Sequence, residues 1–131
     1  MKTFLYLSLF LNLAFSVSAQ KVNPTYKQVS YGPHKDMTLN FWKVEDKKPT
    51  PLLVHIHGGG WLGGKKHETA NANELKNGYS FASIDYRLAG VKLLPAAVHD
   101  AARAIQFLRT KAKKWNFDPN RIAVIGGSAG A

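Results

Sequence analysis

The sequence predicts an α/β fold, a mostly parallel sheet with helices on both faces. Two observations predict it. Short apolar runs of the buried-strand type alternate with helix-patterned segments along residues 52–126, and such alternation builds parallel sheets covered on both sides. Two glycine-rich turns, "HGGGW" at 57–61 and "GGSAG" at 126–130, each follow one of those runs directly. That puts both at the carboxyl ends of strands, where open sheets of this kind form their sites.

The first residues, "MKTFLYLSLFLNLAFSVSAQ", stand apart. Lys2 gives a positive start, Thr3 to Phe15 is apolar apart from Ser8 and Asn12, and Val17-Ser18-Ala19 places small residues at a cleavage site. Residues 1–19 are therefore expected to be a secretory signal peptide cut after Ala19, which makes the protein secreted or periplasmic. The apolar run is short for a membrane span and no stop-transfer pattern follows, so stable membrane insertion is not expected.

Strands are expected over 25–32 ("TYKQVSYG") and 37–44 ("MTLNFWKV"), where apolar residues alternate, with "EDKKPTP" as a turn. "LLVHIH" (52–57), "YSFASID" (79–85) and "IAVIG" (122–126) read as buried strands. "ETANANELKN" (68–77) is helix-permissive, and Asn77-Gly78 stops it. Pro95 opens a long helix whose apolar face is Val98, Ala101, Ala102, Ile105, Leu108 and Ala112. Its end is crowded with Arg109, Lys111, Lys113 and Lys114, as the helix dipole favours. "NFDPNR" (116–121) is a turn. Asp100, in the helix, and Asp118, in that turn, read as structural.

Composition excludes several functions. Cysteine is absent, which removes thiol nucleophiles, cysteine-ligated metals and a disulfide-stapled mini-fold. Net charge is +10, from 18 Lys and Arg against 8 Asp and Glu. The cations are scattered, with small clusters at Lys47-Lys48, Lys65-Lys66 and 111–114 and no interleaved aromatics. They read as solvated faces, and no nucleic-acid partner is expected.

Each glycine turn admits rival chemistries. A dinucleotide fingerprint at Gly126 would need glycine where Ser128 stands. A phosphate loop at Gly59–Lys65 would need Ser or Thr where Lys66 stands. His55 and His57 share one strand face, but no acidic third ligand follows, so no metal is expected. Taken as Gly-x-Ser-x-Gly, "GGSAG" instead makes a strained strand-to-helix turn that lifts the Ser128 hydroxyl above the sheet. A serine attacking a carbonyl needs N–H groups for the developing negative charge. Ala129 supplies one, and the bare backbone of "HGGGW" can supply the others.

With "VHIHGGGW", "FASIDYRLAG", "LPAAVHDAARAIQFL" and "NFDPNRIAVIGGSAGA" in this order, the chain resembles the α/β-hydrolase fold. Within it, the resemblance is to the His-Gly-Gly-Gly esterase/lipase branch often called hormone-sensitive-lipase-like, and it covers residues 25–131. It implies Ser128 as nucleophile, Gly59, Gly60 and Ala129 as oxyanion donors, and His57 as a brace of the glycine loop rather than the base. Asp85 and Arg87 match loop-holding positions. It further implies a serine carboxyl-ester hydrolase acting on small-molecule or polysaccharide esters, without cofactor or metal. The fold places the triad acid and histidine after the serine. Residues 20–131 are therefore expected to be the N-terminal part of an incomplete α/β-hydrolase domain, inactive alone. Two other readings stay open. One is an exported serine peptidase of the prolyl-oligopeptidase type, which usually has glycine where Ala131 stands. The other is a non-catalytic binding module on the same scaffold. Oligomeric state has no signature in the sequence.

Overall fold

The computed structural model describes residues 20–131, so the expected signal peptide over 1–19 lies outside the described residues. These residues form strands β1 (Lys21–Val22), β2 (Tyr26–Ser30), β3 (Thr38–Trp42), β4 (Thr50–Ile56), β5 (Ala70–Asn71), β6 (Ser80–Ile84) and β7 (Phe117–Gly126). Helices α1 (Ala72–Leu75) and α2 (Ala96–Trp115) interrupt them, and a 3-10 turn, Ser128–Gly130, follows β7. The region expected to be helical at 68–77 yields only the single turn α1, preceded by β5, which pairs with β1.

The main sheet has the order β2-β3-β6-β4-β7. It is mixed rather than mostly parallel. β2 pairs antiparallel with β3, and β3 antiparallel with β6, whereas β4 runs parallel to both β6 and β7. The cause is local. The short connection between β2 and β3 reverses the chain, while the longer connections through α1 and α2 return it in the same direction.

Period-two alternation sorts the side chains between two faces. Leu39, Phe41, Leu52, Val54, Ala82 and Ile84 are buried against α2. Trp42 and Phe81 face the other way, with Ala70, Leu53 and Leu75. That second face carries only α1 and the β1–β5 ribbon among the described residues, and an apolar cleft of about 480 Å³ remains on it. Coverage by helices is thus lopsided.

α2 is rotated from the expected face. Its buried residues are Ala96, Ala97, Asp100, Ala104, Leu108, Ala112 and Trp115, and Val98 is 59% exposed. Small alanines let the helix approach the sheet closely, and a buried ion pair at Asp100 takes a place that apolar patterning assigns to a hydrophobe. Asn116 ends the helix in the left-handed region (φ 58°), its N–H returning to the Ala112 carbonyl. Lys113 and Lys114 lie in the last turn.

The expected turn at 116–121 is absorbed into β7 as an irregularity. Thr50 pairs with Phe117 and Leu52 with Ile122, so Asp118–Arg121 bulge out, with the Asp118 carboxylate accepting the Asn120 N–H at 2.9 Å. β7 is also not a buried strand. It forms a sheet edge among the described residues, with Val124 47% and Ile125 45% exposed.

An aromatic cluster ties the sheet to the C-terminal end of α2. Tyr26 stacks on Trp115 at 4.7 Å, and Phe41 meets Trp115 at 4.6 Å and Phe117 at 5.8 Å. Phe41 is fully buried at its centre. Phe41→Ala is expected to cost about 3–5 kcal/mol, measurable by urea denaturation.

Candidate active site

The register of β4 builds the site. Ile56 pairs with Ile84 on one side and with Gly126 on the other. Three segments therefore leave the sheet at one level: the glycine loop from His57, the segment from Asp85, and the turn carrying Ser128.

Ser128 has φ 56°, in the left-handed region that non-glycine residues seldom occupy. Gly127 before it is extended, and the Gly130 N–H closes onto the Gly127 carbonyl at 3.0 Å. Both flanking glycines are required sterically. A Cβ on Gly126 would strike the Gly130 carbonyl, and one on Gly130 would strike the backbone of Ile56 and His57. The turn is thus pressed against the end of β4, and Ser128 itself is exposed.

The glycine loop lies against this turn. A Cβ on Gly58 would come within 2.7 Å of the Gly127 carbonyl and 3.6 Å of the Ser128 Cβ. Gly59 and Gly60 have φ of 120° and 60°. The Gly59 carbonyl accepts from the N–H groups of Leu62 and Gly63 at 3.0 and 3.1 Å, reversing the loop. Among the described residues, none accepts a hydrogen bond from the N–H of Gly59, Gly60 or Ala129.

His57 sits beneath the loop, 5% exposed. Its Nδ1 lies 2.8 Å from the Gly58 carbonyl, which fixes the proton on Nδ1. The ring stacks on Tyr86 at 4.3 Å, and the Tyr86 hydroxyl donates to the His57 carbonyl at 2.8 Å. His57 Nε2 is 3.8 Å from Asp85 Oδ1. Burial, followed by the Asp85 charge, pushes the Tyr86 phenol up, so it stays a donor.

Asp85 accepts at 2.6 Å from both the backbone N–H and the ammonium of Lys66. Tyr31 donates to the Asp85 carbonyl at 2.5 Å. Lys66 is not a solvated charge, since its side chain is 3% exposed. Sequence patterning missed it because its partner lies nineteen positions away, at the end of another strand.

Arg87 grips Asp100 of α2 through Nε at 2.8 Å and Nη2 at 2.7 Å, and the Arg87 N–H adds a third bond at 3.0 Å. Asp85 and Arg87 therefore tie segments together, as their motif implies. Among the described residues, no histidine is hydrogen-bonded to Ser128, and no three His, Cys, Asp or Glu side chains gather as metal ligands.

A family model described as BD-FAE matches residues 40–131. The chain belongs to the BD-FAE family. This BD-FAE chain is 38% identical over 108 residues to carboxylesterase NlhH of Mycobacterium tuberculosis, covering 79% of itself and 34% of that protein. It is 40% identical over 82 residues to an arylesterase of Saccharolobus solfataricus, covering 60% of itself and 27% of the relative. The BD-FAE chain thus spans between about a quarter and a third of these relatives' lengths. Among solved structures, a truncated carbohydrate esterase from gut microbiota superposes with a TM-score of 0.71 at 27% identity, covering 80% of this chain and 39% of that one. An α/β-hydrolase from a deep-sea metagenome library superposes with a TM-score of 0.63 at 24% identity, covering 86% and 47%. The architecture is that of a partial α/β-hydrolase.

Two measurements test this scaffold. Gly130→Ala should destabilise the chain by about 1–3 kcal/mol through overpacking, seen as a lower denaturation midpoint. For Asp100, burial pushes the carboxyl up, but the hydrogen bonds and charge of Arg87 outweigh burial and hold it below its usual value. Its stabilising contribution is then complete above the unfolded value, about pH 4, and is lost as pH falls through the lower folded value. The difference in melting temperature between wild type and Asp100→Asn should be full at neutral pH and should close on acidification.

Proposed function

We propose that the protein is a serine carboxyl-ester hydrolase in which Ser128 is the nucleophile and the glycine loop forms the oxyanion hole. The observation that carries this reading is Ser128 held at positive φ beside a loop whose N–H groups at Gly59 and Gly60 have no acceptor among the described residues. Esterase relatives on the same scaffold support it.

In this mechanism the Ser128 Oγ attacks the ester carbonyl carbon. Negative charge develops on the carbonyl oxygen and is met by the N–H groups of Gly59, Gly60 and Ala129. A general base takes the hydroxyl proton and delivers it to the leaving alcohol, and water then hydrolyses the acyl-enzyme. The base is not His57, whose Nδ1 is committed to Gly58 and whose ring is buried. Nor is it His99, which is exposed on α2. The resemblance to α/β-hydrolases puts the base and its acid partner after the serine in chain order, which supports the reading that residues 20–131 alone are nearly inactive.

Carbohydrate esters are the proposed substrates. The carbohydrate esterase cited above and an acetyl ester-xyloside bifunctional hydrolase from Caldicellulosiruptor lactoaceticus (TM-score 0.55, 26% identity) support this. Export through residues 1–19 is consistent with a polymeric substrate outside the cell. Among the described residues no helix is long and apolar enough to cross a membrane.

The full-length protein should react with a fluorophosphonate probe and release carboxylic acid from an acylated polysaccharide. Ser128→Ala should abolish both. Undiminished labelling after that change would overturn the assignment. Residues 20–131 alone should hydrolyse a short-chain aryl ester at close to the background rate, and Ser128-dependent turnover by that piece would refute the external base.

A further inference from the structure

We propose that Lys66 is a positioning residue for the oxyanion hole. The inference rests on the reading of Gly59 and Gly60 as oxyanion donors. The glycine loop departs from His57 and is pinned again at Lys66. At its start, Tyr86 holds the His57 carbonyl and His57 holds the Gly58 carbonyl. At its far end, one residue donates twice to one carboxylate. The Lys66 N–H goes to Asp85 Oδ1 and the Lys66 ammonium to Asp85 Oδ2, both at 2.6 Å.

Between the two anchors, Gly59, Gly60 and Gly64 adopt positive φ that side chains would not hold, and the Ala89 N–H holds the Trp61 carbonyl at 2.7 Å, so the direction of the glycines is set by these few ties, the double contact at Lys66 among them. Gly64 (φ 99°) passes so near that a Cβ there would strike the His57 ring and the Gly58 carbonyl. A shift at Lys66 is therefore transmitted to His57, Gly58 and the N–H groups that follow. A lysine this buried is unusual without a structural task, and its ammonium also keeps the Asp85 carboxylate compensated 3.8 Å from His57 Nε2. Breaking such a pair leaves a poorly solvated charge that must find a new arrangement.

The test uses the full-length protein. Lys66→Met removes the ammonium and leaves the backbone N–H to Asp85 in place. With a short-chain aryl ester, kcat should fall ~10–100-fold while KM stays within ~3-fold, as expected for a donor that is present but misaimed. The Gly59 and Gly60 amide resonances, followed by 15N-glycine labelling, should shift and exchange faster. Leu75→Ala, on the opposite face of the sheet, supplies a destabilised reference that keeps wild-type kcat. Residues 1–131 contain no cysteine, so among them Lys66→Cys is the single thiol that 2-bromoethylamine can alkylate, and the adduct rebuilds a side chain of nearly the same length and charge. That treatment should restore kcat and both amide positions, with treated wild type as the control.

Wild-type kcat and unmoved glycine amides in Lys66→Met would overturn the role. If Lys66→Met does not fold, Asp85→Asn, which keeps an acceptor for the N–H, must lower kcat with little change in KM. Unchanged kcat there would refute the proposal equally. Fluorophosphonate labelling that survives Ser128→Ala would sink the esterase reading instead, and the amide measurements would still report on Lys66.

Discussion

Parallel pairing of β4 with a neighbour on each side brings Ile56, Ile84 and Gly126 to the same height. A parallel ladder fixes that height through a row of backbone hydrogen bonds, so the loops beyond it inherit a common origin. The Gly-x-Ser-x-Gly turn exploits this. Gly126 and Gly130 have no room for side chains because the end of β4 already occupies the space. The serine is thus offered upward by close backbone packing rather than by any contact of its own side chain.

Charge does the remaining organisation. Lys66 with Asp85, and Arg87 with Asp100, join elements remote in sequence, and in each pair one member is almost wholly buried. An apolar pair of the same shape could stabilise as well, because desolvation offsets much of the attraction of buried charges. Their value is geometric. The Arg87–Asp100 fork aligns α2 with the end of β6, and the double contact at Asp85 gathers the glycine loop onto the same strand end. Tyr31 joins this centre from the β2–β3 connection. Burial, with the nearby Asp100 and Asp85 charges, pushes its phenol far above the usual range, so it serves as a donor.

Much of this was legible in the sequence. Alternating apolar residues located β2 and β3, continuous apolar runs located β4 and β6, and the glycine turns marked both strand ends that carry the site. The parallel sense was overstated, because the direction of β3 depends on its pairing with β6, a contact that spans about forty residues. The face of α2 was misjudged for a related reason. Asp100 counts as polar in any periodicity, and only its distant partner Arg87 makes it a buried position. Lys66 was hidden by its neighbour Lys65, which does face solvent. Local patterns reveal backbone propensity and hydrophobic period. They do not reveal which charge meets which.

The open side of β7 has a practical consequence. Its Val124 and Ile125 are nearly half exposed, and no described strand pairs with its outer edge. Unpaired backbone donors and acceptors flanked by β-branched residues form a template for strand addition. A bare preparation of these residues therefore presents one growing end to every other copy in solution. Rising concentration would favour sheet-to-sheet joining over the folded monomer, and any strand that covered that edge would work as a solubility element as much as a structural one.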